Sequence, residues 1–465
     1  MLYEDSSSEN NTTRPDRKNN WTNIILFIIF TLVSFAWVFH VKPPFISPDE
    51  GAHLSRADAL RNGYIALTSP DGKMNSGGEV DNSMNYFRSQ YDKVIKSHNN
   101  PELANEMKRE MQNLYWSNTK RFYSMANTAF YFPAVYIPQA IGFEVGHILN
   151  LNLYSTYKLA TTLNLLAIIT LIIAAWRLAP IPAPAIAVML LPMSIFQFFS
   201  PTIDGLTFAF TVLTMSLLTN LLKHENHLHF RKKLFLLCIV IFALSSSRAN
   251  LLPLLFLPLW LFFRTRQRSC LIGFAVTSIL VLAWTYFSIK TVHDNGIHHP
   301  GIEQIDVLKY YILHPFEIPQ IIVNTLSDYS TFTFYVQSLI GKLGWLDAPI
   351  GDFAYWGFGL AIYSIFILNI SKKHVAKHKT DTVLLLLLTL SIITLTFCAL
   401  LVQWSAFPTT KVDGVQGRYF IIPFIILGYA LMDKPELRKL SYAALAFMAV
   451  ASVMTVHIAL ETRYF

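Results

Sequence analysis

Hydrophobic and polar positions along this chain come in long blocks, not with the two-residue alternation of a strand. Apolar runs fall near residues 22–41, 155–177, 183–200, 203–222, 234–247, 250–263, 271–290, 353–371, 382–402, 419–433 and 440–459. Most reach or approach the ~20 residues that cross a bilayer as a helix, the form that satisfies its own backbone in lipid. The pattern predicts an all-α membrane protein, a polytopic bundle of about eleven transmembrane helices. The runs at 234–247 and 250–263 are short, about fourteen residues each. Between them SSSRANLLP places Arg248 near the outer surface or inside a cavity, because short, proline-interrupted helices are tolerated where they line one.

The polar blocks set the topology. Residues 1–20 form an Asn/Ser-rich tail that reads as poorly ordered, and no small-residue cleavage pattern follows Trp37, so the first run reads as an uncleaved signal anchor. The N-x-Thr matches at Asn10 and Asn11 are chance on a cytoplasmic tail. Arg14, Arg17 and Lys18 precede the first run, and later basic clusters lie at Arg231–Lys233, Arg264–Arg268, Lys372–Lys379 and Lys434–Lys439. The positive-inside rule puts all of them on the cytoplasmic side. The transmembrane domain then runs from 21 to 465, with 42–153 as a first and 291–352 as a second large periplasmic loop. Counting spans between the basic clusters leaves 131–149, apolar but carrying Pro133, Pro138, Glu144 and His147, along the outer membrane surface. The stretch Asp92 to Trp116, with Ile95, Leu103, Met107, Met111 and Leu114 among Lys and Glu, reads as an amphipathic helix in the interface plane.

Composition agrees with this picture and removes some alternatives. The chain is 53% hydrophobic and 14% charged, against about 25% charged in an ordinary soluble protein. Its net charge of +8 is spread over short clusters between spans, so it reports topology and no nucleic-acid partner. Cys238, Cys270 and Cys398 lie in or beside apolar runs without CxxC spacing, which predicts neither a disulfide framework nor a zinc site.

Candidate chemistry begins immediately after the first run, in KPPFISPDEGAHLSRADALRNG. A proline before Asp49 suits a helix start; on that helix Asp49, His53 and Arg56 share one face. The same side of the membrane collects Asp204 of SPTIDGL, Arg248, Lys342, Trp345 and Asp347 of GKLGWLD, and Gln416, Arg418 and Tyr419 of GVQGRYF. An ionisable group at a membrane boundary is costly unless paired or functional. A carboxylate there can act as general base, and arginines can hold a departing phosphate through charge-assisted hydrogen bonds. The set suits transfer onto a hydroxyl from a lipid-phosphate donor. Trp345, Tyr355 and Trp356 could stack on sugar faces. No GxGxxG or P-loop is present, which disfavours a nucleotide-activated donor. His293, Asp294, His298, His299 and Glu303 lack persuasive metal spacing, so no metal ligands are assigned. The paired carboxylates Asp49 and Glu50 leave a divalent cation open.

Pro48-Asp49-Glu50 with His53 and Arg56, Gly344-Trp345-Leu346-Asp347, and Gly414-Val415-Gln416-Gly417-Arg418-Tyr419-Phe420, in this order, resemble a bacterial membrane-protein family of unknown function. That family is similar in layout to the GT-C glycosyltransferases, which use polyprenyl-phosphate sugars. The resemblance covers about 40 to 435. It implies a GT-C fold with a catalytic acid in the first outer loop, a place matched by Asp49 and Glu50, and an Asp at the outer start of a middle span, matched by Asp204. It also implies an inner-membrane, inverting enzyme that moves a hexose, glucose foremost, from undecaprenyl phosphate to a periplasmic glycan such as the O-antigen of lipopolysaccharide, a modification that converts serotype.

The expected partners are therefore a polyprenyl-phosphate sugar donor, a glycan acceptor and the lipid bilayer. Asp49 is the expected base and Glu50 the alternative; His53, Arg56, Asp204, Arg248, Lys342, Trp345, Asp347, Gln416, Arg418 and Tyr419 are the expected substrate contacts. Two other readings stay open: a glycan polymerase or ligase using lipid-diphosphate donors, and a lipid-linked glycan transporter or flippase.

Overall fold

The computed structural model describes residues 17–97, 100–223, 228–295, 299, 301–370, 372–431 and 438–465. The tail 1–16 with its Asn10 and Asn11 matches, His298, and most of the Lys434–Lys439 cluster lie outside the described residues. Helices dominate. Among the described residues six are long and apolar enough to cross a membrane: Trp21–His40, Leu153–Leu178, Ile203–Lys223, Arg268–Thr291, Lys379–Gln403 and Lys439–Tyr464.

The other predicted spans are shorter or broken. The 183–200 run divides into Ala183–Met189 and Pro192–Phe198, because Pro192 has no N–H to continue the ladder and forces its predecessor out of the helical region. The 250–263 run becomes a 3-10 turn, Ala249–Leu255, leading into Phe256–Thr265. The 419–433 run becomes Gly417–Phe420 followed by Ile421–Ala430. Phe230–Ser247 and Asp352–Asn369 are unbroken helices of 18 residues, the first opening on Arg231, Lys232 and Lys233.

The 42–153 segment is a packed layer on one end of the bundle. The region expected as one interfacial helix over Asp92 to Trp116 is instead two helices, Asn82–Lys96 and Pro101–Met111. Their apolar stripes, including Phe87, Tyr91, Val94, Met107 and Met111, are buried in the main core. Phe87 meets Phe45 edge-on with ring centroids 5.1 Å apart and also packs on Tyr157. The face that would have lain on lipid is covered by protein.

A feature absent from the sequence reading is a small hairpin, Gly77–Asp81 paired antiparallel with Lys120–Ser124. The ambiguous 131–149 stretch contains the 12-residue helix Ile137–Ile148, only about 18 Å long and too short to cross a ~30 Å hydrocarbon core. It packs along Leu153–Leu178 where Gly142 lets the chain approach: a Cβ there would sit 2.4 Å from the Ala160 Cα.

Candidate functional site

Four separate helix ends bring the site together. The first span stops at His40, and the chain turns through Lys42–Pro48 before the Glu50–Arg61 helix. Asp204 lies in the first turn of Ile203–Lys223, where the helix dipole favours an anion. Arg248 caps the end of Phe230–Ser247, where a cation is favoured. Arg418 lies in the turn Gly417–Phe420 that opens the next short helix.

Arg418 is the hub. Its Nη1 donates to Asp204 Oδ2 at 2.7 Å and its Nη2 to Asp49 Oδ2 at 2.7 Å. Its Nε donates to Gln416 Oε1 at 2.7 Å, and longer contacts of 3.4 Å reach the Pro48 carbonyl and the Tyr419 hydroxyl. All three guanidinium nitrogens are therefore engaged. Arg248 is different. Its Nη2 is paired with Asp204 Oδ1, whereas its Nε is buried with no hydrogen-bond partner among the described residues. Such a donor costs free energy until an acceptor arrives.

Exposure separates the two carboxylates. Asp204 keeps 1% of its side-chain surface and Asp49 44%, so Asp49 is the member that meets an incoming molecule. Burial is the largest single influence and acts to raise the Asp49 pKa, but the charge and hydrogen bond of Arg418 together with the other positive charge around it outweigh it, and the carboxyl stays below its usual 3.8. Asp49 is outside the helix, at φ 62° and ψ 3°. A non-glycine residue in the left-handed region carries strain that surrounding contacts must hold.

Glu50 supplies that hold. Its carboxylate accepts from Lys42 Nζ (3.2 Å), Tyr157 Oη (2.7 Å), Phe45 N (3.0 Å) and Ser47 N (3.0 Å). It has no exposed side-chain surface. The alternative base is thus a buried clamp whose oxygens are taken, turned away from Asp49, and the adjacent carboxylates do not form a shared cation-binding pair. Among the described residues no three His, Cys, Asp or Glu side chains gather as metal ligands. Replacing Glu50 with Ala should cost about 3–5 kcal/mol by leaving the Lys42 ammonium buried without its counter-ion. Thermal unfolding of the purified protein checks this, and an unchanged midpoint would contradict it.

The remaining expected contacts take varied places. His53 is on the helix after Asp49, and its Nδ1 is 2.9 Å from the Tyr136 hydroxyl. Burial pushes its pKa down to about 3, an effect that the Asp49 charge offsets only in part. Because the folded ring stays neutral while an unfolded one titrates near 6.5, His53 subtracts stability as pH falls from about 6.5 to 3. His53→Gln should flatten the pH dependence of unfolding over that window, as equilibrium denaturation at stepped pH would show.

Arg56 does not share the Asp49 face as a substrate contact. It is buried and donates to the carbonyls of Tyr64 (2.7 Å) and Ile65 (2.6 Å), tying down the turn after its helix. Asp49 precedes the helix in a left-handed conformation, and this breaks the expected helical spacing.

Lys342 stands 5.1 Å over the Phe334 ring and makes no contact with the ion network. Trp345 Nε1 donates to the Phe45 carbonyl at 2.9 Å, while Asp347 binds Arg463 through Oδ2 at 2.6 and 3.0 Å. The GWLD turn therefore props the segment leading to Asp49 and fastens it to the last helix. Tyr355, on the Asp352–Asn369 helix, donates to the Gly341 carbonyl and accepts from Ile350 N, and Trp356 is exposed on the same apolar helix.

Sequence reasoning missed Lys42, Tyr157 and Arg463, and also Tyr131, which lies within electrostatic reach of Asp49, Arg248, Arg418 and Tyr419. Lys42 had a readable signal, a cation at the end of an apolar run just before an acidic pair. Arg463 had none.

Fold and site together define the class: an all-α membrane protein whose polar centre is a buried ion network assembled from four helix ends. The chain belongs to the family described as predicted membrane protein (DUF2142), whose model matches residues 30–427, a range that includes Asp49, Asp204, Arg248 and Arg418. No curated protein matches it.

Proposed function

We propose that this protein is an inverting, GT-C-type glycosyltransferase of the bacterial inner membrane, with a cytoplasmic N-terminus and a periplasmic site. In this reading it moves a hexose from a polyprenyl-phosphate donor to a hydroxyl of an envelope glycan such as O-antigen. The observation that carries the reading is the pairing of one half-exposed carboxylate, Asp49, with buried Arg418, next to Arg248, whose buried Nε has no hydrogen-bond partner among the described residues. A buried ion network is poor value for stability alone, since desolvation offsets much of the Coulombic gain. Perturbed ionisable groups collected at one place are a functional signature.

Asp49 accepts the proton of the acceptor hydroxyl as its oxygen attacks the anomeric carbon. The bond from that carbon to the phosphate oxygen breaks, and the phosphate leaves with the electron pair. The free Nε–H of Arg248 donates a hydrogen bond to the departing anion, which develops charge as the bond breaks. An Asp49 held below its ordinary pKa is ionised at neutral pH but is a weak base; a donor phosphate beside Arg418 and Arg248 adds negative charge and moves the carboxyl upward. Asp204 holds both arginines in register.

The cellular test is the mass of the surface glycan in cells carrying the wild-type gene or Asp49→Asn. The expected difference is one hexose per modified unit. Equal masses, with both proteins inserted at the same level, would overturn the proposal.

A further inference from the structure

GVQGRY contributes Gln416, Arg418 and Tyr419 to the ion network. Gly414 and Val415 border a different feature, a cavity of about 280 Å³ between the Tyr329–Ile340 helix and the 411–415 segment. Its polar lining includes Ser330, Thr331, Lys411 and Asp413, with Phe334 as an apolar wall.

The loop is fixed by its own contacts. Val412 N donates to Thr325 Oγ1 at 2.8 Å, Asp413 N to Ser405 Oγ at 2.9 Å and Gly417 N to Ser338 Oγ at 2.8 Å. Gly414 adopts φ +75°, and a Cβ there would lie 2.2 Å from Trp404 Cδ1. Such a loop needs little ordering when a ligand arrives.

Charge narrows the ligand. Lys411 is paired with Asp328, whereas Asp413 is exposed and its carboxylate has no hydrogen bond or ion pair among the described residues. The unpaired charge at the cavity is therefore negative, which repels a phosphate and accepts hydrogen bonds from hydroxyls. Phe334 adds a surface for C–H groups. Hydroxyl acceptors beside one aromatic ring suit a neutral sugar.

We propose that this cavity binds a neutral sugar ring of the acceptor glycan, at a seat separate from the donor phosphate. Naming the glycan as acceptor rests on the transferase reading; the binding itself does not. Asp413 is five residues from Arg418, a span of at most about 18 Å. An acceptor of several rings can occupy the cavity and still present a hydroxyl to Asp49.

The test uses the full chain in nanodiscs. Neutral oligosaccharides released by mild acid from the cell envelope serve as probe, with binding read by calorimetry. Wild type should bind the saccharide, and inorganic phosphate should not compete. Asp413→Ala should weaken binding about 10-fold or more, the worth of a hydrogen bond to a charged group. Phe334→Leu should weaken it as well, giving a second variant if the first fails to fold. Absence of binding by wild type, or equal affinity in both folded variants, would overturn the cavity assignment. In a transfer assay the same variants should raise the acceptor KM and leave the donor KM unchanged. Wild type that binds saccharide but transfers nothing would overturn the transferase reading while leaving this seat in place.

Discussion

Replacing Asp49 with Asn should lower sugar transfer by about 10²- to 10⁴-fold, the usual worth of a positioned general base, while the protein still inserts and folds. The separation of effects comes from exposure. Asp49 retains 44% of its side-chain surface, so its ion pair contributes little to stability in solvent, and Arg418 keeps Asp204, Gln416 and Tyr419 as partners after the change. Asparagine preserves size and tolerates the left-handed backbone at this position. What it removes is the proton acceptor. The measurement is kcat with saturating donor and acceptor, alongside the unfolding midpoint. An equal loss of midpoint and rate would recast Asp49 as a structural residue.

Asp204→Ala should destabilise the fold strongly. Both Arg418 and Arg248 pair with this one carboxylate, and its removal leaves two guanidinium groups with little exposed surface short of their counter-charge. Breaking a buried pair by deleting one partner costs about 3–5 kcal/mol. Arg418 retains Asp49, which limits the damage on its side; Arg248 is left with no ion pair among those the structure shows. Thermal unfolding in nanodiscs should show a lowered midpoint, and Asp204→Asn should recover part of it by accepting hydrogen bonds without charge. Transfer should fall in both variants. A midpoint unchanged by Asp204→Ala would mean that the network does not hold the helix ends together.

The sequence made the class of fold legible through block length alone, since a continuous apolar run has few other solutions in lipid. It did not reveal where those runs break. Pro192 was visible, yet a proline inside an apolar run is compatible with either a kink or a full stop, and here the chain stops and restarts. The cluster of Asp49, Asp204, Arg248 and Arg418 was readable because each is an ion at the edge of an apolar run. The roles of neighbours were not. Glu50 and Asp49 are adjacent and chemically similar, and only the left-handed turn at Asp49 sends one carboxylate into the core and the other to the surface. Trp345 and Asp347 looked like substrate contacts because they are polar or aromatic at a loop; in the structure they hold Phe45 and Arg463. The hairpin escaped because its strands are five residues each and separated by two helices.

The most direct test of the transferase account is made on the purified full-length protein reconstituted in liposomes with radiolabelled polyprenyl-phosphate hexose and an acceptor glycan. The account predicts that label passes to the glycan, that free polyprenyl phosphate accumulates in equal amount, and that Asp49→Asn slows both by about 10²- to 10⁴-fold. Label that stays on the lipid with wild-type protein, or transfer that survives Asp49→Asn at the wild-type rate, would contradict it.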